Sequence, residues 1–271
     1  LDGDTTMAPD AIEQTIKYFR DEKTAMVCGM IVPQKISTLF ERGRFIEYLY
    51  SLTVTKPAQN HNGIVFVSSG CFSVFRTSIV KKLGGFESRT MAEDMDLTWS
   101  ATGAGYRTYY THEAISYPVD PSTLAIYWDQ VERWNRALLQ NISVRRGRFE
   151  SKRLGALIYY YLIWSLLSPI ILPLVLFGLV GSLPWALIFT VLAQAGFVWL
   201  PAFGQVIYMK RRGREFGFPG ENHSWPRVLG ETLLSCFCLL VTQYINFAAF
   251  LNAVWREWIM REELTEWKKG H

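Results

Sequence analysis

The stretch from Leu154 to Met209, LGALIYYYLIWSLLSPIILPLVLFGLVGSLPWALIFTVLAQAGFVWLPAFGQVIYM, contains no Asp, Glu, Lys or Arg. The whole chain of 271 residues is 19% charged, short of the ~25% of a soluble domain, and this run is where the deficit lies. So long an uncharged stretch cannot coat a water-soluble globule, and it excludes disorder, a disulfide miniprotein and a fibrous repeat. A spanning helix takes about 20 apolar residues. The run therefore reads as two spans, at about 154–178 and 184–208, with a break near Gly178 to Pro184. A third apolar stretch runs from Val228 to Val254, with Glu231 as its charge.

Charge orients these segments. Arg145, Arg146, Arg148, Lys152 and Arg153 precede the first span, Lys210, Arg211, Arg212 and Arg214 follow the second, and the turn Gly181–Pro184 is uncharged. Both basic clusters are expected on the cytoplasmic side of the cytoplasmic membrane. The polar tail, 256–271, mixes Arg256, Arg261, Lys268 and Lys269 with Glu257, Glu262, Glu263 and Glu266. It gives no orientation, so the third segment reads either as a full crossing or as re-entrant. The net charge of +4 is concentrated beside these segments, which argues for topology and against nucleic-acid binding. Ser165, Ser168, Gln194, Gln205, Thr242, Gln243 and Asn246 lie within the spans. Gln243 and Asn246, three apart, share a helix face, as glue between helices or as the lining of a polar conduit.

Upstream, residues 1–120 alternate apolar runs with helical patterns, which indicates an α/β layer architecture. Helices are expected at Ala8–Asp21, Ser37–Leu52, Thr77–Leu83 (closed by Gly84-Gly85) and Asp94–Gly103. Strands are expected at Ala25–Val32, Gly63–Ser69 and Arg107–Tyr110, with Phe72–Phe75 continuing the second or starting another. Two or three strands are few for a sheet. The chain opens on Leu1-Asp2-Gly3-Asp4-Thr5, which reads as the interior of a domain, so further sequence upstream is expected. Cys28, Cys71, Cys236 and Cys238 match no zinc spacing and read as buried free thiols.

Three groups of residues suit chemistry. In Asp2-Gly3-Asp4, two carboxylates around one small residue offer hard oxygens to Mg²⁺ or Mn²⁺; the same tripeptide also makes a good turn. In Met91-Ala92-Glu93-Asp94-Met95-Asp96-Leu97, Glu93 and Asp94 suit either a helix N-terminus or a general base that removes a hydroxyl proton. In Gln130-Val131-Glu132-Arg133-Trp134, Gln130, Arg133 and Trp134 occupy one helix face. There Arg133 can fork onto a diphosphate and Trp134 offers a flat face to a sugar ring. A plain amphipathic helix at a membrane surface, with an interfacial Trp, accounts for the same residues.

The order of these groups, D-x-D, then G-G-F and E-D, then Q-x-x-R-W, then apolar spans, resembles the processive membrane-integrated family-2 glycosyltransferases: the poly-N-acetylglucosamine, chitin, hyaluronan and cellulose synthases. The resemblance covers most of the chain. It implies the C-terminal part of a GT-A-type nucleotide-sugar transferase domain (1–120), an interfacial amphipathic helix with its basic linker (121–153) and an all-α transmembrane region (154–255). By the same resemblance Asp2 and Asp4 would hold Mg²⁺ or Mn²⁺ against the diphosphate of a UDP-sugar, and Gln130 and Arg133 would contact that donor. Asp94 would be the catalytic base with Glu93 beside it. Trp134 would meet the acceptor, an oligosaccharide or growing polysaccharide, together with Ser69, Gly70 and Cys71 of an acceptor-pocket strand (Ser68–Arg76). That strand also reads as a buried strand with a glycine bulge. N-acetylglucosamine is the favoured sugar, and the product is a β-linked polymer passed into the bilayer.

The sequence departs from the family at Ala92, where many relatives carry Thr. It also lacks a clear gating-loop motif, although Met209–Trp225 lies near the right place. Three spans are few for a sugar conduit without upstream helices or a homo-oligomer. Two other readings stand beside polymerisation: transfer of a single sugar to a lipid-linked acceptor, and a catalytically silent membrane scaffold.

Overall fold

The computed structural model describes residues 1–186, 188–190, 192–193, 203, 207 and 225–262. At its centre is a four-stranded mixed sheet of order β1-β4-β2-β3. Strand β2 (Thr24–Ile31) is buried at every position, as befits a strand covered on both faces. It pairs in parallel with β4 (Arg107–Tyr117) and antiparallel with β3 (Ser73–Phe75). The two-residue β1 (Thr6–Met7) pairs antiparallel with the far end of β4. The β2–β4 register shifts between Cys28 and Met30. A Cβ on the intervening Gly29 would collide with the Ala114 carbonyl and the Phe72 ring, so only glycine fits at this irregularity.

The helices partly redraw the expected boundaries. Helix α1 spans Ala11–Ile16 and tightens into a 3₁₀ turn over Lys17–Arg20, shorter than Ala8–Asp21. Helix α2 (Leu39–Tyr50) starts at a capping box in which Thr38 Oγ1 accepts from the Glu41 amide and Glu41 Oε2 accepts from the Thr38 amide. It continues past Leu52 through a π-turn (Ser51–Thr55) into α3 (Lys56–Asn60), where Pro57 sits in the first turn, the position at which its missing N–H costs least. Helix α4 (Thr77–Lys82) ends at Gly84 and Gly85, both at positive φ. Helix α5 runs from Glu93 to Gly103.

The expected strand Gly63–Ser69 is not a strand. Its amides are served by side chains instead of a ladder: Val65 donates to Thr108 Oγ1, Phe66 to Gln59 Oε1 and Ser68 to Thr98 Oγ1. The segment is largely buried as expected, but it runs beside Thr108 at the start of β4, whose amide donates to the Gly63 carbonyl, and leads to Ser69, Gly70 and Cys71. These lie in the turn before β3, so the proposed acceptor-pocket strand is a loop for its first half. The expected Arg107–Tyr110 strand extends to Tyr117.

Helix α6 (Leu124–Val144) starts at Thr123, whose Oγ1 accepts from the Ile126 amide. Helix α7 (Lys152–Val180) contains Pro169 and Pro173 and ends at Gly181 in the left-handed region. Its first turns join the body: Leu154 and Ile158 pack with Phe66, Trp99, Leu138 and Ile142. Helix α8 (Trp225–Val254) lies on α2 through Val228, Cys236 and Leu239, and on α6 through Ala249, Phe250 and Ala253. Among the described residues, Pro226–Ile259 is the one helix long and apolar enough to cross a membrane by length and composition, and 44% of its most apolar window is buried. The second expected span, 184–208, falls mostly outside the described residues. So do Gln194, Gln205, the basic cluster Lys210–Arg214, the loop 209–224, and Glu263, Glu266, Lys268 and Lys269 of the tail. The four cysteines are free thiols.

Candidate active site

Helix α5 follows the loop that leaves α4 at Gly84-Gly85, and its first residues face the Ser69-Gly70-Cys71 turn. Asp94 Oδ2 accepts the Gly70 amide at 2.8 Å and Oδ1 accepts the Met95 amide at 2.7 Å. A Cβ at Gly70 would stand 3.5 Å from Asp2 Oδ1 and 3.6 Å from Asp94 Oδ2. The absent side chain of Gly70 thus marks the point that the two carboxylates flank. Burial pushes the Asp94 pKa above the ordinary aspartate value. The Met95 and Gly70 amides oppose this, and the charges of Glu93 and Asp2 add to it.

Arg133 closes the cleft from α6. It is half-buried. Burial lowers the pKa of its guanidinium, while Asp94, Asp2 and Glu93 act on it in the opposite sense. Residues 2, 93, 94 and 133 are thus close enough to act on one another's charge. Asp2 and Glu93 are exposed and reachable from solvent. Asp4 takes a different position: its carboxylate accepts from Thr5 Oγ1 at 3.4 Å, and its carbonyl accepts from Gln34 at 3.4 Å. No group of three His, Cys, Asp or Glu side chains suited to a metal occurs among the described residues. Asp2 and Asp4 thus do not form a protein cage. Two hard carboxylates on an open turn fit a cation that completes its shell with water and substrate oxygens, as magnesium does.

Gln130 and Trp134, one helical turn apart, meet a residue that the motif reading missed. Arg44 on α2 is fully buried, with 0% exposure. Its Nη2 donates to Gln130 Oε1 at 2.7 Å and its Nη1 pairs with Glu47 at 2.6 Å. The guanidinium lies over the rings of Trp134, Tyr127 and Tyr48, at 4.6, 4.9 and 5.7 Å from their centres. Nearby, Asp120 in the β4–α6 connection accepts from the Tyr48 hydroxyl at 3.0 Å. The other Asp120 oxygen is buried without a hydrogen bond. Burial pushes the Asp120 pKa up to about 6, against the opposing charge of Arg44. In sequence, Arg44 looks like one more charge on an amphipathic helix; only its spacing of three from Glu47 hints at a pair.

Cys71 borders the same cleft. Burial pushes its thiol up to about 11, with Ser69 and Lys56 opposing and Asp2 adding to the rise. It is a neutral thiol at physiological pH and no nucleophile. Lys56, almost fully buried, has its amine 3.4 Å from Cys28 Sγ and over the Tyr110 ring.

The polar residues of α8 divide between the body and the outer face. Asn246 accepts from Asn135 at 2.8 Å, whereas Gln243 is exposed. Asn246 therefore serves as glue between helices, and it does not share that role with Gln243.

Several known proteins are similar. The poly-beta-1,6-N-acetyl-D-glucosamine synthase of Staphylococcus aureus (strain COL) is 31% identical over 135 residues, which is 49% of this chain and 33% of that protein. An N-acetylglucosaminyltransferase of Rhizobium leguminosarum bv. viciae is 25% identical over 268 residues, 94% of this chain and 60% of its own length. The chain thus spans a third to three-fifths of the length of these relatives. Among solved structures, the mannosyltransferase PcManGT from Pyrobaculum calidifontis, in complex with GDP-Man and Mn²⁺, is 15% identical with a TM-score of 0.45, over 90% of this chain and 63% of its own. Residues 1–201 match the glycosyl transferase family group 2, and the chain, with its paired carboxylates and Arg133 around Gly70, belongs to that family.

Proposed function

We propose that the chain carries the acceptor half and membrane-facing part of a GT-A-type, inverting, processive hexosyltransferase. It uses a UDP-sugar, with N-acetylglucosamine favoured, to extend a β-linked polysaccharide at the inner face of the cytoplasmic membrane and pass it into the bilayer. The observation that supports this best is the Gly70 amide on Asp94 Oδ2, with Asp2 and Arg133 beside it. Two carboxylates flank a gap the size of a missing side chain, and the Arg133 guanidinium feels the charge of both. The two N-acetylglucosamine-transferring relatives support the sugar.

In this mechanism Asp94 is held by two backbone amides, one on each oxygen, so its carboxylate is fixed in direction before the acceptor arrives. It accepts the proton of the acceptor hydroxyl. That oxygen forms a bond to the anomeric carbon as the bond from this carbon to the UDP oxygen breaks, and the electron pair leaves with UDP. Attack from the face opposite the leaving group turns an α-linked donor into a β-linked product. Arg133 lies where negative charge builds on the leaving diphosphate. When bound by Asp2 and Asp4, a divalent cation supplies Lewis-acid stabilisation of the same charge. Trp134 presents its exposed face to the terminal acceptor sugar while Arg44 occupies the other face. Gln130, held by Arg44, lines the donor side.

The test is incubation of the protein in membranes with radiolabelled UDP-sugars, one at a time, with Mg²⁺ or Mn²⁺ and with chelator. A ladder of products that a β-hexosaminidase digests is the expected result. One added residue on a lipid carrier would replace polymerisation by single transfer, and absence of metal-dependent UDP release would leave a silent scaffold.

A further inference from the structure

The cleft that begins at Gly70 continues past Cys71. Tyr48 of α2 packs on the same core cluster as Cys71 and lies close enough to feel its charge. The Arg44 guanidinium lies over both the Tyr48 ring and the Trp134 ring. Cys71, Tyr48, Arg44 and Trp134 therefore form a continuous wall from the reacting end to the exposed indole. Cys71, Tyr48 and Gln130 each keep part of their surface accessible along it. Asp120 belongs to this wall, with Oδ1 on the Tyr48 hydroxyl. The charges here do not cancel. Arg44 gives Nη1 to Glu47 and Nη2 to Gln130, and its Nε is buried with no hydrogen bond among the described residues. Asp120 is 8% exposed, and its Oδ2 is likewise buried and unpartnered among them. Arg44 and Asp120 feel each other's charge, yet the ion pair of Arg44 is with Glu47. Two carboxylates thus share one guanidinium.

Buried polar atoms in folded proteins are almost always satisfied, and a buried carboxylate oxygen without a donor destabilises the fold. Here an unused N–H and an unused carboxylate oxygen stand in one enclosure walled by the rings of Tyr48, Tyr127 and Trp134. A hydroxyl suits both, because it accepts one hydrogen bond and donates another. An ammonium, which accepts nothing, does not. Resting on the sugar-polymer reading above, we infer that Asp120 Oδ2 accepts a hydroxyl of the acceptor saccharide where the chain runs from Gly70 to Trp134. Asp120 is then a binding residue that sets the register of the acceptor. The aromatic faces meet the apolar side of the sugar rings, and the few placed polar groups orient them. A lone buried carboxylate lowers the stability of the empty protein, and the saccharide hydroxyl relieves it. Such a trade of stability for activity is common where a site must hold an unsatisfied group ready.

Calorimetric titration of the full chain in lipid nanodiscs with β-linked N-acetylglucosamine pentamers tests the inference, for the parent and for Asp120→Asn, from about pH 5 to about pH 8. Asparagine still accepts from the Tyr48 hydroxyl, so the variant is expected to melt no lower than the parent. Its affinity for the pentamer is expected to fall by roughly ten- to hundredfold, the worth of a hydrogen bond to a charged group. The parent is expected to bind more weakly as pH drops below about 6, where Asp120 takes up its proton, and the variant is expected to lack this dependence. Arg44, Tyr48, Glu47 and Glu41 also face Asp120 and are present in both proteins, so the difference between the two profiles belongs to position 120. Equal affinity in parent and variant overturns the inference, and leaves the free oxygen to a buried water alone. A variant that melts below the parent overturns it as well, because Asp120 then serves as a counter-charge to Arg44. A parent that binds no pentamer refutes the sugar-polymer reading itself, and the inference with it.

Discussion

The guanidinium of Arg44 lies 4.6 Å from the centre of the Trp134 ring, on the face turned into the protein, while Trp134 remains 36% exposed. A desolvated contact of this kind is worth about 2 kcal/mol, and the hydrogen bond to Gln130 adds to it. Arg44 therefore sets both ends of the Q-x-x-R-W turn. We predict that Arg44→Met costs about 2–3 kcal/mol of stability and shortens the polymer more than it slows hydrolysis of the donor. Arg44→Lys keeps the charge but loses the planar stacking, so it recovers stability better than chain length. Thermal melts and product sizing measure the two. Equal loss of donor hydrolysis and chain length in Arg44→Lys would contradict this role.

Trp134→Ala removes the exposed face but leaves the Arg44–Gln130 bond in place. Donor hydrolysis is expected to survive while polymer is lost. A parallel loss of both would count against acceptor stacking.

Asp94→Asn keeps an acceptor for one of the two backbone amides but cannot take a proton. Transfer is expected to fall by roughly 10²–10⁴-fold, with UDP binding measured by calorimetry nearly unchanged. In the unsubstituted enzyme the acidic limb of the rate profile is expected to lie above the ordinary aspartate range, because burial raises the Asp94 pKa. Substitution of Glu93 by Gln moves that limb down, since it removes a neighbouring negative charge.

Gly70 gives a cleaner separation of fold from function. A Cβ there meets Asp2 and Asp94 oxygens only at ordinary contact distance, so Gly70→Ala folds with a melting temperature close to that of the parent. It fills the gap between the carboxylates, and the KM for acceptor is expected to rise several-fold. Gly70→Val fills the gap completely and abolishes transfer. A fully active Gly70→Val protein would show that this gap is not where the sugar sits.

Asp120 predicts how stability changes with pH. Its pKa is raised to about 6 in the folded protein, against about 3.9 in an unfolded chain. The folded state thus holds this proton more tightly, and stability is highest below the unfolded value. It falls as pH rises through the window from about 4 to 6, by at most about 3 kcal/mol. Arg44, Tyr48, Glu47 and Glu41 face the same group. Asp120→Asn still accepts the Tyr48 hydroxyl and removes the charge, so its melting temperature is expected to be flatter across that window and higher above it. A pH dependence unchanged by Asp120→Asn would remove this assignment.

Much of the fold is legible in the sequence. An apolar run such as Ala25–Val32 has few alternatives to a central strand, observed as Thr24–Ile31, and Gly84-Gly85 end a helix because glycine reaches positive φ without strain. Gly63–Ser69 misleads because its hydrophobicity is that of a strand, while its hydrogen bonds come from Gln59, Thr98 and Thr108, whose positions depend on the tertiary fold. The same division runs through the site. Asp2, Glu93, Asp94 and Arg133 are legible as candidates, because residue type and order alone bring them forward. Arg44 and Asp120 are not, because a buried charge looks like a surface charge until its neighbours are known. The α8 segment has the composition of a span, and only its ion pairs, Glu231 with Arg42 and Glu257 with Arg136, show that it is tied to the body.

Arg145 stands at the end of α6, with its Nη2 on the Asp96 carboxylate, the Asp96 carbonyl and the Ser100 hydroxyl, and Arg89 completes the pair on Asp96. It clamps the helix that carries Arg133 to the helix that carries Asp94. The proposed base and the guanidinium beside it therefore sit on two helices that Arg145 ties together. In the proposed mechanism the spacing of these two groups is set by an arginine outside the cleft, so a variant at position 145 acts on transfer through the geometry of residues it never touches.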